Sequence, residues 1–226
     1  MKIKIKAKEI GVWVGVMLVF AAISWGLISI INTKPPLKET ETVPQIQAPA
    51  EVSENDITLG SIEKAKVTLI EYTDFQCPAC KVYAENVKKL NKDFGDDLLI
   101  VHRFLPLISI HKNAVTSAQA AYAAFKQNKF WKMDELLYEN QDSWANTDNP
   151  LLIFTDYAKK FNLNIDQFTN DYNAQSTKEF IDAQRNEGIS IGITYTPSFF
   201  VNGKIVEVSP DYETFKQIIE NALNTD

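Results

Sequence analysis

The sequence predicts an α/β domain whose strands are interrupted by a long helical insertion, with an apolar membrane-spanning segment ahead of it. Three observations predict it. Two continuous apolar runs, "KVTLIEY" and "DLLIVHRFL", flank an amphipathic stretch, residues 113–188 are helical in pattern without a strand among them, and "PSFFVNGKIVEV" leads into a second amphipathic stretch that closes the chain. The composition agrees: 45% apolar and 11% aromatic residues describe a chain that buries a core, and 226 residues suit one domain with appendages. The formal charge of −6 hides an asymmetry, because Lys2, Lys4, Lys6 and Lys8 crowd the extreme N-terminus. What remains is acidic and carries no basic face, which excludes a nucleic-acid partner.

Residues 1–9 form the basic segment. Ile10 to Ile31 then carry no charge, and "IGVWVGVMLVFAAISWGLISII" exceeds the ~20 apolar residues that cross a bilayer core. A cleavable signal peptide is the competing reading, but its apolar region is usually about 7–15 residues and no small-x-small cleavage site follows. An uncleaved anchor over 10–31 is therefore expected, with the lysines cytoplasmic and the bulk of the chain extracytoplasmic at the cell membrane. Residues 32–56 mix Pro35, Pro36, Pro44 and Pro49 with Thr, Glu and Gln and show no periodic apolar face, as expected of a tether.

The folded domain is expected over 57–226. A short strand falls around Ile57 and Leu59, and Val67, Leu69 and Ile70 mark a strand buried on both faces. Tyr83, Val87, Leu90 and Phe94 recur at i, i+4, i+7 and i+11, one stripe of a helix that Gly95 ends. "DLLIVHRFL" is the next buried strand. The helical insertion runs from about 111 to 190, its last helix opened by a Ser176–Glu179 capping box. Asn202-Gly203 joins two strand-like runs, since both central residues of a type I′ turn need positive φ. Tyr212, Phe215, Ile219 and Ala222 mark the closing helix, with Pro210 near its start. Strand, helix, strand, helical block, hairpin, helix is the order of a thioredoxin fold with a helical domain inserted in its middle.

The chain has two cysteines, Cys77 and Cys80, in "TDFQCPACKVY", where the first strand feeds the first helix. Haem attachment needs histidine after the second cysteine, and Lys81 stands there. A zinc site needs two more ligands, yet the two histidines, His102 and His111, are too widely spaced for the usual pattern and sit around a different strand. A structural disulfide stabilises more the longer the loop it closes, and this loop is nearly the shortest available. A redox pair fits compartment and position alike. At the start of a helix, unpaired N–H groups and the dipole favour an anion, so the Cys77 thiol is expected to titrate below the ~8.5 of free cysteine. Pro78 suits the first helical position because its missing N–H has no partner there. Cys80, one turn inward, resolves the mixed disulfide.

Glu71 lies six residues before Cys77 on the strand expected to be buried. Desolvation raises its pKa, and such a group is able to exchange a proton with Cys80; a solvated Glu71 on a frayed strand is the alternative. Pro197 in "TYTPSFF" enters a strand-like run, where a cis Thr196–Pro197 bond exposes the Thr196 backbone to an extended client segment; an ordinary loop proline is the alternative.

With "DFQCPAC", "HKNA", "KFWKMDELLYENQDSW" and "TPSFFVNGK" in that order, the chain resembles the DsbA-like thiol:disulfide oxidoreductases, in the membrane-anchored branch called BdbD-like or DsbD-like, from about residue 57 to the C-terminus. The resemblance implies an exposed attacking cysteine at Cys77, a resolving cysteine at Cys80, a buried acid at Glu71 and a cis proline at Pro197. It also implies reduced or unfolded exported proteins as substrates and a quinone-linked membrane thiol oxidase as regenerating partner. No cofactor and no metal are expected. Two departures bear on function. Ala79 stands where the most oxidising members carry histidine, which places the Cys77 pKa between about 3.5 and about 7 and makes a weaker oxidant. Tyr195 stands where relatives often have glycine and narrows the substrate groove. His111 is expected to be structural. Disulfide donation is the leading expectation; a reductase or isomerase kept reduced by a membrane partner, and a non-catalytic client-binding module, are the alternatives.

Overall fold

The computed structural model of the chain describes residues 17–25 and 46–225. Two compact units divide it, Met1–Pro44 and Gln45–Asp226. In the first, residues 17–25 are helical (α1), and Met17, Leu18, Val19, Phe20, Ile23 and Trp25 are exposed. No helix among the described residues is long and apolar enough to cross a membrane. The rest of the expected span over 10–31, the basic segment 1–9 and residues 32–45 of the expected tether lie outside the described residues.

The second unit is built on a mixed five-stranded sheet of order β1-β3-β2-β4-β5, from Ile57–Leu59 (β1), Val67–Thr73 (β2), Leu98–Phe104 (β3), Ser198–Val201 (β4) and Lys204–Val206 (β5). β2 and β3 run parallel and the other neighbours antiparallel. Side chains of β2 alternate between two layers because the strand period is two. Val67 and Leu69 pack with Leu98, Ile100 and Phe199 against Val87 and Leu90 of α2 (Pro78–Phe94) and Phe215 and Ile219 of α9 (Tyr212–Leu223). Ile70 and Tyr72 face the other way and pack with Leu99, Val101, Phe200, Ile191 and Ile193. Glu71 and Thr73 continue the first of these faces.

Between β3 and β4 lie α3 (Ala114–Phe125), α4 (Phe130–Glu139), α5 (Gln141–Trp144), α6 (Pro150–Lys160), α7 (Ile165–Asn173) and α8 (Gln175–Ser190). Their core holds Ala120, Met133, Leu137, Trp144, Phe154 and Phe168, and it is continuous with Phe75, Cys77 and Cys80. The two cysteines therefore sit at the seam of sheet and insertion.

Local chemistry explains the boundaries. Gly95 ends α2 at φ +50, donating its N–H to the Asn91 carbonyl. Asn202 and Gly203 take φ +48 and +76, the two positive values of the expected hairpin turn. Asp211 caps α9 by accepting from the Thr214 N–H at 2.9 Å. The expected Ser176–Glu179 capping box is not formed: Ala174 joins α7 directly to α8, so the helix opens at Gln175 and Ser176 already lies within its first turn.

The expected tether also ends earlier than its composition indicates. Ile46 and Val52 pack on the outer apolar layer, Gln47 donates its N–H to the Ile191 carbonyl, and buried Arg103 on β3 binds the carbonyl of Ala50 and the carboxylate of Asp56. Two apolar side chains and one buried cation give these residues partners that periodicity does not show.

Candidate active site

Cys77 is the N-cap of α2, with backbone angles of −72° and 122°, and Pro78 occupies the first helical position. Pro78 and Ala79 are exposed, whereas both cysteines are buried free thiols, Cys77 retaining 7% exposure and Cys80 2%. The resemblance implies an exposed Cys77, and the structure corrects that to a narrow opening, because the Thr196 loop packs over the sulfur. Thr196–Pro197 is cis and leads directly into β4. The Cys77 thiol donates to the Thr196 carbonyl at 3.4 Å, while Tyr195 beside it is 48% exposed.

The two thiols have opposite acidities. Cys77 is lowered to about 5, chiefly because the Cys80 thiol donates a hydrogen bond to it; burial opposes this, and the Thr196 hydroxyl with the N–H groups of Cys80 and Ala79 adds to it. That value lies within the range expected for alanine at position 79, although the largest cause is the second cysteine rather than the helix terminus. Thr196 faces the sulfur with two groups of contrary preference: its carbonyl accepts from the thiol, and its buried hydroxyl, which has no hydrogen-bond partner, is suited to donate to the thiolate. Cys80 is raised well above the ordinary thiol value, first by burial, then by its donation to Cys77 and by the Cys77 charge.

Glu71 is buried on β2 and does not fray, so its carboxyl is pushed up to about 8 by desolvation. Register places it beside His102 of β3, with Nδ1 and Oε1 3.5 Å apart. His102 is fully buried among Phe75, Phe104, Phe130 and Trp131, neither of its ring nitrogens has a hydrogen-bond partner, and burial lowers its pKa to about 3. At neutral pH these are two uncharged groups and not an ion pair. Glu71 makes no hydrogen bond to Cys80 among the described residues. It lines instead a 290 Å³ cavity between α2 and α4, together with Lys88, Trp131, Asp134, Glu135 and Tyr138.

Several residues that composition and spacing pass over hold the active loop. Asp74, 2% exposed, accepts from the Gln76 N–H through one carboxylate oxygen at 2.8 Å. Its other oxygen binds the Leu107 N–H at 2.8 Å and His111 Nδ1 at 2.7 Å. His111 is thus a brace, near the cysteines in space though distant in sequence. Gln141 of α5 donates to the carbonyls of Phe75 and Cys77 at 2.7 and 3.0 Å. Gln76 links the Asn113 N–H to the Ala145 carbonyl, and Asn113 binds the carbonyls of Trp144, Ala145 and Thr147. The legible traces are "HKNA" and "ENQDSW", which carry His111, Asn113, Gln141 and Trp144. Asp134 left a trace too, an acid at i+4 in the buried stripe Phe130, Met133, Leu137, Tyr138. Among the described residues no cluster of three or more His, Cys, Asp or Glu is arranged to hold a metal.

Fold and site together describe a DsbA-like variant of the thioredoxin architecture, with a dithiol at a helix N-terminus facing a cis-proline loop. The chain belongs to the thioredoxin family, described as "Thioredoxin", whose profile matches residues 52–221. Solved structures of similar fold include oxidised BdbD from Bacillus subtilis, with TM-score 0.69 and 24% identity over 79% of this chain and 98% of that one. Wolbachia pipientis alpha-DsbA1 is similar at TM-score 0.64 and 23% identity, over 80% of this chain and 96% of that one. In sequence, the chain is similar to parts of proteins named Na(+)/H(+) antiporter NhaA 1. That of Mycolicibacterium gilvum is 34% identical over 62% of this chain, and that of Mycobacterium sp. (strain KMS) 32% identical over 87%. This chain spans only 22% and 31% of their respective lengths.

Proposed function

We propose that the chain is an extracytoplasmic thiol:disulfide oxidoreductase, anchored in the cell membrane by residues 10–31, that donates a Cys77–Cys80 disulfide to reduced or unfolded exported proteins. A quinone-linked membrane thiol oxidase restores the disulfide in this reading. The observation that carries it is the placement of Cys77 at the N-cap of α2 against the cis Thr196–Pro197 loop with Cys80 buried behind it, an arrangement that lowers the Cys77 thiol and raises the Cys80 thiol. A low pKa makes Cys77 a good leaving group and stabilises the reduced protein, which drives electrons toward it. For such a two-electron couple about 1.4 kcal/mol of thiolate stabilisation is worth about 30 mV. The anchor is supported by Lys2, Lys4, Lys6 and Lys8 ahead of the uncharged run and by the exposed apolar side chains of residues 17–25.

The geometry supports the following exchange. A client thiolate attacks the Cys77 sulfur, the S–S electron pair leaves on Cys80, and a mixed disulfide joins client to Cys77. A second client thiolate then attacks its own sulfur in that bond; Cys77 leaves as the thiolate held by Thr196 and by the first-turn N–H groups. The client has lost two electrons and the protein has gained them. A client segment lying extended beside Tyr195 and Thr196 presents its sulfur to Cys77. With Cys80 replaced by alanine and clients offered in their disulfide form, the Cys77 thiolate attacks a client sulfur, the other client sulfur leaves with the electron pair, and clients are expected to accumulate covalently on Cys77, read by non-reducing electrophoresis. Equilibration with glutathione and trapping of thiols in cells then fix the direction. An absence of adducts overturns the exchange; a pair found reduced in cells overturns donation in favour of a reductase or isomerase.

A further inference from the structure

We infer that the proton exchanged by Cys80 travels through the hydroxyls of Thr73 and Tyr138 to the cavity that Asp134 and Glu71 share, so that Tyr138 of the inserted helix α4 is a positioning residue for the resolving half of each exchange. This rests on the thiol-exchange reading above. Cys80 is 2% exposed and has no direct route to solvent. The polar groups close enough to shift its acidity are the Cys77 sulfur, the Asp74 backbone and the Thr73 hydroxyl. Cys77 is in the disulfide or the mixed disulfide when the proton moves, and a peptide N–H does not carry it. The Thr73 hydroxyl remains.

Thr73 Oγ1 lies 2.6 Å from the Tyr138 hydroxyl, and either oxygen is able to donate, so the pair conducts in both directions. Tyr138 lines the 290 Å³ cavity beside Glu71 and Asp134, a space polar and roomy enough for water. Asp134 sits one turn before Tyr138 on the same face of α4. The groups facing this space are Glu71 from β2, Lys132, Asp134 and Glu135 from α4, and Glu85 and Lys88 from α2, with uncharged His102 from β3 against Glu71. Lys88 pairs with Glu135 across it. Asp134 is raised well above the usual carboxyl value, first by burial and then by Glu71 and Glu135, with Lys88 opposing the shift. Tyr138 is raised far above the ordinary phenol, so it relays without ionising.

The step balances. During regeneration, the Cys80 thiol gives its proton to Thr73 Oγ1 as Thr73 passes its own to Tyr138 and Tyr138 passes its own to the cavity. The Cys80 thiolate attacks the Cys77 sulfur, the Cys77–Cys80 bond forms, and the partner sulfur leaves with the electron pair of the broken bond. In client oxidation, the same chain returns a proton to Cys80 as it leaves.

An aromatic disulfide that releases a coloured thiolate separates the two halves by stopped-flow absorbance: the first release reports attack by Cys77, the second resolution by Cys80. Tyr138→Phe keeps the ring that packs 5.0 Å from Phe75 and is expected to slow the second release about 10-fold to 100-fold, leaving the first unchanged. Its solvent deuterium isotope effect on the second release should change as well. Asp134→Asn is expected to displace the pH profile of the second release only. Should Tyr138→Phe fold poorly, Thr73→Ser is expected to keep the second rate and Thr73→Val to lose it. Equal second rates and equal pH profiles in Tyr138→Phe, Thr73→Val and the unaltered protein overturn the relay. A missing first release overturns the exchange reading itself.

Discussion

At the scale of single residues, the site is a set of ionisable groups moved away from their ordinary values by burial and by one another. Cys77 is pulled down by donors aimed at its sulfur, whereas Glu71 is pushed up by burial, and Cys80 and Asp134 by burial first and then by neighbouring Cys77 and by Glu71 with Glu135 respectively. The upward shift of a buried carboxyl costs stability as well as serving chemistry. Glu71 is raised to about 8, so between the ~4.3 of an unfolded chain and that value the native state holds a proton that the unfolded state has released. Stability from this group therefore falls as pH rises through that window and levels off above it. Glu71→Gln removes the titration from both states. The variant is expected to match the unaltered protein near pH 4 and to exceed it by about 3.5 kcal/mol at pH 7, from roughly 1.36 kcal/mol per pH unit above the unfolded value. Urea unfolding at a series of pH values measures the difference, and a gap that shrinks with rising pH contradicts a buried neutral acid.

Among elements, the telling relation is between the inserted helices and the loop that carries the cysteines. α5 is only Gln141–Trp144, yet Gln141 satisfies two buried carbonyls, those of Phe75 and Cys77, and so fixes the approach to α2. Gln141→Ala leaves both without a donor, and unpaired buried polar groups cost about 1–3 kcal/mol each. Destabilisation of about 2–4 kcal/mol is expected from denaturant midpoints, together with a slower attack by Cys77. Little of this was legible in the sequence. Strands, α2, the hairpin and the closing helix announce themselves through local period and turn chemistry, because each of those signals lies within one element. Asp74 meeting His111, Gln141 meeting Cys77 and Thr73 meeting Tyr138 join residues 37, 64 and 65 positions apart. A polar side chain carries no period that names its partner, and only the fold brings such pairs together. Glu71 was legible as an anomaly, an acid in an apolar strand, but the cavity that receives it belongs to α4 and appears only once the insertion is folded back.

For the whole molecule, the boundary between tether and domain is set by Arg103. This guanidinium is buried on β3, 4% exposed, and binds the Tyr72 hydroxyl at 3.0 Å, the Ala50 carbonyl at 2.9 Å and Asp56 Oδ1 at 3.1 Å, with Glu187 3.6 Å away. Tyr72 also donates to Glu187, which accepts the Ala50 N–H in turn. Residues 50–56 are therefore part of the domain's charge balance, while Ile46 and Val52 cover its apolar layer. A chain beginning at Ile46 keeps every one of these contacts and is expected to unfold at the same denaturant concentration as the full-length protein. A chain beginning at Ile57 keeps all five strands but takes away Asp56 and the Ala50 carbonyl, leaving Arg103 with less than its charge requires. Removing one partner of a buried ion pair costs about 3–5 kcal/mol, since the remaining charge stays out of water uncompensated. That loss is expected for the shorter chain, and Asp56→Asn within the longer one should reproduce a large part of it. Equal midpoints for the two truncated chains would show that residues 46–56 only lie on the surface, and the domain would then begin at β1 as the composition alone suggests.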